Sequence, residues 1–347
     1  MITIADAQAE FTSSGLYFNS ASIGLPPRAT ITALHEGLGR WAGGLAQATE
    51  YDPYVERSRA AYAQLVGAAV DWVAITTPVS VATGHAAALL GPGDRVVVAR
   101  QEFTSVLFPF LEAEKRGVEV RVVELADLLD QVGPGLTMVA VSAAQSADGW
   151  VIDLDTLAER CRDAGVLSFV DLTQAAGWLP INASRFDITA AGAYKWMISP
   201  RGTGFMTVAP DLWERMPALA AGWYAGDEPW ASVYGPPLRL APNARRFDVS
   251  PAWLPWVGAA PALELLVELG VDAVGEHDVA LANQLRAGVG LEPSNSAILS
   301  LDLDGATVAR LQNAGALFAE RAGRSRFACH LYNTPAQVDR VVELITG

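Results

Sequence analysis

Lys195 stands in the run Asp187-Ile-Thr-Ala-Ala-Gly-Ala-Tyr-Lys-Trp-Met-Ile-Ser-Pro-Arg-Gly-Thr-Gly-Phe-Met-Thr-Val208, in a chain where lysine is scarce. Small apolar residues lead into it, Gly202-Thr-Gly204 follows, and a second apolar stretch closes the run. The pattern is strand, turn and strand with the lysine between, so its amine does not dissolve into a charged face. Such an amine is a nucleophile towards carbonyl carbon. Upstream, Phe169-Val-Asp-Leu-Thr-Gln-Ala-Ala-Gly177 reads as an apolar strand ending in an acid, Asp171, with Gln174 just beyond. Strand-end acids are where open α/β sheets place their chemistry.

Four ordered segments carry a resemblance. They are Asp171-x-x-Gln174-x-x-Gly177, Tyr194-Lys195-Trp196, Pro200-x-Gly202-x-Gly204-Phe205, and Arg326-x-x-x-His330-x-Tyr332-Asn333-Thr334. Together they resemble the class V aminotransferase family of pyridoxal 5'-phosphate (PLP) enzymes, which includes cysteine desulfurases, kynureninases and isopenicillin N epimerases. The resemblance implies that Lys195 forms the Schiff base with the cofactor aldehyde. It also implies that Asp171 keeps the pyridine nitrogen protonated, making the ring an electron sink, and that Gln174 donates to the phenolic oxygen. Many members have Ser-x-His-Lys at the lysine. Here the run is Gly192-Ala-Tyr194-Lys195, so a phosphate hydroxyl is lost and Tyr194 replaces the imidazole at the cofactor.

Other positions follow from the same resemblance. Val73-Ala-Ile-Thr-Thr-Pro-Val-Ser80 and the Ala-rich stretch after it read as strand, turn and helix, where free N–H groups and the positive end of a helix grip an anion. Val79 and Ser80 are the expected phosphate contacts, with Ser80 reading equally as an N-cap. Phe103 stands where the family stacks a ring on the cofactor, or else belongs to the core. Arg326 matches the arginine that binds the substrate α-carboxylate, a task suited to a bidentate guanidinium, with Arg321 and Arg324 as competitors. Asn19 and Ser20, Gln145, and Trp223 with Tyr224 are candidates near the substrate, and Ser250 is a candidate for the other subunit's phosphate. His330 and Tyr332-Asn-Thr read as fastening the last helix.

The elements that must hold these residues alternate as βαβ units around a mostly parallel sheet. Strands are expected at Val73, Arg95 to Ala99, Val118 to Val123, Thr137 to Ser142 and before Asp171. Helices are expected at Ile31 to Leu45, Pro53 to Val66, Asp153 to Ala164 and Ala260 to Leu269. A smaller unit follows, with strands Ala297 to Leu303 and Arg326 to Leu331 and helices Ala306 to Ala314 and Pro335 to Ile345. The expected class is α/β, the PLP-dependent transferase fold type I. It divides into an N-terminal segment 1–22, a large PLP-binding domain 23–240 and a small C-terminal domain 241–347.

The bulk properties agree with a globular enzyme. The chain has 347 residues, 51% of them hydrophobic and 18% charged, enough for a large core. A formal net charge of −14 argues against nucleic acid or an acidic membrane surface as partner. Cys161 and Cys329 offer neither a disulfide framework nor metal-ligand spacing, and neither stands on the loop where cysteine desulfurases carry their nucleophile, since Cys329 is expected inside the last strand. Met1-Ile-Thr-Ile-Ala-Asp lacks a basic start and a long apolar core, so a cytoplasmic protein is expected. The reading at this stage is a homodimeric PLP enzyme acting on an amino acid by transamination or C–S β-elimination. Desulfurase-like sulfur transfer and a non-catalytic PLP-binding protein are its rivals.

Overall fold

The computed structural model describes residues 2–12 and 15–347. Seven strands form the central sheet: β1 (Val73–Thr76), β2 (Arg95–Ala99), β3 (Glu119–Val123), β4 (Met138–Ser142), β5 (Leu167–Asp171), β6 (Ile188–Gly192) and β7 (Gly204–Val208). They lie in the order β1-β7-β6-β5-β4-β2-β3. β2 to β6 run parallel, while β7 is antiparallel to both β6 and β1. The inner strands are short apolar runs because both faces are covered. Alternate side chains enter different layers: Val97, Val139, Val141 and Val170 join one core, and Val96, Val98, Met138, Ala140 and Phe169 the other.

Parallel strands need crossovers, and these are the helices Val79–Ala88, Thr104–Ala113 and Leu154–Ala164. Leu154–Ala164 is capped by Asp153, whose Oδ1 accepts from the Thr156 N–H at 2.9 Å. The C-terminal ends of β2, β4, β5 and β6 therefore open on one side, and that is where the site forms.

A second sheet, β8 (Ile298–Leu301), β10 (Arg324–Ala328) and β9 (Ala319–Arg321), lies in that order and is antiparallel throughout. Its core takes Leu281, Leu285, Leu299, Phe327 and Val341, and also Phe18 from the entry segment. Two of its elements have no counterpart in the sequence reading. Strand β9 is only three residues long. Helix Val271–Gly288 contains Gly275, which allows close approach, since a Cβ there would meet the Trp178 carbonyl oxygen at 2.2 Å. The last strand ends at Ala328, so Cys329 lies just past it rather than within it.

Packing also bears on the division expected at residue 241. Helix Trp253–Leu269 lies against helices Arg28–Ala42 and Asp52–Leu65, and its Trp256, Leu263 and Leu266 join the large unit's core. Among the described residues, no helix is long and apolar enough to cross a membrane.

Candidate active site

Lys195 sits in the connection between β6 and β7, and its backbone is gripped from three directions. From the entry segment, the Gly24 N–H donates to the Tyr194 carbonyl at 2.9 Å, so close that a Cβ on Gly24 would stand 2.0 Å from the Lys195 carbonyl oxygen. From the end of β5, Gly177 adopts φ +114, and a Cβ there would meet the Trp196 oxygen at 2.6 Å. From the small unit, His330 Nε2 contacts the Trp196 carbonyl at 3.0 Å, while its Nδ1 is 2.8 Å from Asp278 Oδ2. Within the turn, Ile198 holds φ +45 and donates its N–H to the Lys195 carbonyl at 3.1 Å. A β-branched residue rarely adopts that conformation, and backbone strain of this kind concentrates at functional sites.

The amine enters a cavity of about 500 Å³, within the range of small-ligand sites. Burial drives the Lys195 ammonium down to about 8; Asp171 opposes this, and the charges of Arg326, Arg321 and Arg201 reinforce it. Asp171, at the end of β5, is itself raised by burial, with the Thr173 N–H at 2.8 Å and the lysine charge acting the other way. Gln174 faces the cavity with its amide engaged. Its Oε1 accepts from Trp196 Nε1 at 2.8 Å, and its Nε2 donates to the Ala21 carbonyl and Ser146 Oγ, both at 3.0 Å.

Phe103 is half-exposed rather than core, with Lys195 Nζ 5.5 Å from its ring centroid. Tyr194 lies between Lys195, 5.7 Å from the ring centroid, and the Arg201 guanidinium, 4.9 Å away. Arg326 is fully buried, and its Nη1 donates to the Ser146 carbonyl and to Ser146 Oγ, the latter at 3.1 Å.

The structure thus gathers Lys195, Asp171, Gln174, Val79, Phe103, Tyr194 and Arg326 around one cavity. Arg321, the competitor of Arg326, lines it too, and the remaining candidates lie elsewhere. Ser80 occupies the second position of its helix, where Pro78 is the N-cap, and faces a neighbouring depression beside Thr104 and Phe108. Gln145 is buried and donates to Glu102. Asn19 pairs by backbone with Ala328, leaving Ala21 and Ser22 to face the cavity. Ser20 binds Tyr332 at 2.6 Å. Trp223 packs against Tyr224 and Trp230, which are tied to Asp52 at 3.2 and 2.6 Å. Ser250 is exposed, two residues after Asp248, which is buried against Arg59.

The sequence reading missed Ser22, Thr77, Thr173, Arg201 and the buried Glu102. Glu102 Oε1 accepts from the Ser142 N–H at 2.8 Å and its Oε2 from the Ser142 hydroxyl at 2.6 Å. Arg201 was the unassigned position inside Pro200-x-Gly202, and an arginine in a lysine's own turn was signal enough to include it.

Residues 17–300 match the model of the aminotransferase class-V family. The chain belongs to that family. Class-V aminotransferases are PLP-dependent enzymes, and the cavity suits the cofactor. It has one amine whose ammonium form burial disfavours, a buried acid in the same cavity, and the first turn of helix Val79–Ala88 with no side chain capping its N–H groups.

The chain is 28% identical over 318 residues to an uncharacterized aminotransferase, YcbU, of Bacillus subtilis, covering 84% of this chain and 83% of that one. It is 25% identical over 279 residues to an isopenicillin N epimerase of Streptomyces clavuligerus, covering 73% and 69%. Among solved structures, its fold matches that of a cysteine desulfurase from Thermococcus onnurineus with a TM-score of 0.86 at 19% identity, covering 100% and 99% of the two chains. The cystine C–S lyase C-DES matches at 0.85 and 20% identity, covering 96% and 98%.

Proposed function

We propose that this class-V aminotransferase family member acts on an amino acid by transamination or C–S β-elimination, as a homodimer. The observation that carries the reading is the pairing of Lys195 with Arg326 across one cavity, an amine near neutrality facing a buried guanidinium that has only neutral partners.

PLP bound here supplies an electron sink for the substrate α-carbon. The residues that would hold it are Lys195 as its attachment point, Asp171 as the acid for its ring nitrogen, Phe103 and Tyr194 for its ring, and the Thr77–Val79 turn for its phosphate. Arg326 orients the substrate by its α-carboxylate through a charge-assisted pair. Lys195 Nζ, with a proton affinity near ambient pH, takes and returns the proton at Cα, as a general base must. Thr173 and Gly192 keep the floor rigid, the Gly192 N–H donating to Thr173 Oγ1 at 3.0 Å. A persulfide carried on the protein is not supported, because burial pushes the Cys161 thiol up to about 12 and the Cys329 thiol higher still.

The homodimer rests on helix Arg28–Ala42, where Ile31, Leu38 and Trp41 are exposed at spacings of seven and three, one stripe of the helix. The test begins with colour. Protein incubated with PLP is expected to be yellow, and Lys195→Ala to lose the bound colour with its circular dichroism intact. Arg326→Ala is expected to weaken amino acids about tenfold to a hundredfold, the worth of a charge-assisted hydrogen bond, and the corresponding amines far less. Wild-type protein that stays colourless sinks the reading. Keto acid, or pyruvate with a released thiol, then separates the two reactions.

A further inference from the structure

Three arginines, Arg201, Arg321 and Arg326, line the cavity beside Lys195, with Asp171 as the only carboxylate among its lining residues. The chain has acids to spare, 38 Asp and Glu against 24 Lys and Arg. Elsewhere many of its arginines use them, as Arg57 does with Glu264 and Arg59 with Asp248. The cavity arginines do not. Arg326 Nη2 donates to Ser22 Oγ at 2.8 Å, and Arg321 Nη2 donates to that same hydroxyl at 3.3 Å. Two guanidinium groups thus converge on one neutral oxygen, a costly arrangement unless anions come between or beside them.

Arg321 is also fixed in place. It ends β9, and the two-residue turn Ala322-Gly323 that follows holds φ +49 and +76 before β10 returns. Both central residues of such a turn need positive φ, and alanine accepts this only under strain. Its Nη1 donates to the Glu320 carbonyl at 2.7 Å, so the head is tethered while the side chain stays exposed on the cavity side.

A cofactor phosphate has its place at the helix N-terminus on the β1 side, and one substrate carboxylate satisfies Arg326. Arg321 remains. Resting on the function proposed above, we propose that Arg321 determines specificity by receiving a second anionic group, so that the substrates are amino acids whose side chain ends in a carboxylate. A guanidinium pairs bidentately with that group, which gives direction as well as charge.

Binding of chain-matched acids to the PLP-loaded protein, measured by calorimetry, tests this: butyrate against succinate, valerate against glutarate, hexanoate against adipate. At the preferred length, the dicarboxylate is expected to bind at least tenfold tighter than its monocarboxylate. Arg321→Gln is expected to reduce that ratio to about one, with Arg321→Lys restoring part of it, while Arg326→Gln weakens both members of each pair. Equal binding of both members by the wild type overturns the inference. So does an Arg321→Gln protein that keeps the ratio, or one that weakens both members alike, which would make Arg321 and Arg326 a joint clamp on one carboxylate. In these cases Arg326 still answers to the α-carboxylate and the proposed function stands. Failure of every acid to bind overturns both.

Discussion

Lys195 is one of two lysines in the chain, and the other, Lys115, is exposed and paired with Glu112 at 2.8 Å. Chemistry directed at a buried side-chain amine therefore reports on one atom. In cofactor-free protein, reductive trapping of a small aldehyde on Lys195 is expected to follow a titration with a midpoint of about 8. Its neighbours shift that midpoint in opposite senses. Asp171 favours the ammonium, so Asp171→Asn moves the midpoint down; Arg326 disfavours it, so Arg326→Gln moves it up. Equal midpoints in the three proteins, read by mass of the trapped adduct against pH, would show that the lysine does not feel either charge. The types and order of Asp171, Gln174, Lys195 and Arg326 were legible because each sits in a local pattern. Ser22 and Glu102 were not. Their roles depend on where a side chain points after distant elements pack, as when Glu102 turns inward to Ser142 while its neighbour Phe103 faces the cavity.

At the scale of elements, most strands and helices matched their expected spans to within a few residues, since apolar period and breaker residues set both, but the helix expected from Ala260 begins already at Trp253. Discrepancies arose where tertiary contact overrode local signal. Gly275 sits inside a helix because it packs against Trp178, and β9 is too short to show any alternation. Gly24 is a further instance, read as part of a turn. Its missing side chain lets the entry segment lie against the lysine's own peptide. Gly24→Ala forces backbone against backbone and is expected to cost about 1–3 kcal/mol of stability and to loosen the cofactor. Gly177→Ala, with its positive φ in addition, is expected to cost at least as much. Thermal unfolding with and without PLP measures both. A Gly24→Ala protein that unfolds and loads cofactor as the wild type does would show the contact to be soft.

Over the whole molecule, the question is what the exposed stripe of helix Arg28–Ala42 meets. With a second copy as its occupant, Leu38→Glu together with Trp41→Glu places two charges in a buried seam and is expected to shift sedimentation from dimer to monomer. An unchanged sedimentation coefficient would put the interface elsewhere. Trp223 and Ser250 lie outside their own chain's cavity.

The entry segment has a consequence for how the protein is made. Phe18 belongs to the small core, Ser22 lies between Arg326 and Arg321, and Gly24 grips the Lys195 peptide. Ser22 thus finds its partners only 299 and 304 positions later, while Gly24 finds its own at Tyr194. While the ribosome is still extending the central sheet, Phe18 and Ser22 have nowhere to dock, and the lysine has only part of its support. The newborn chain must wait without a finished cavity until β10 and His330 emerge, and a truncated message yields a sheet with no working centre.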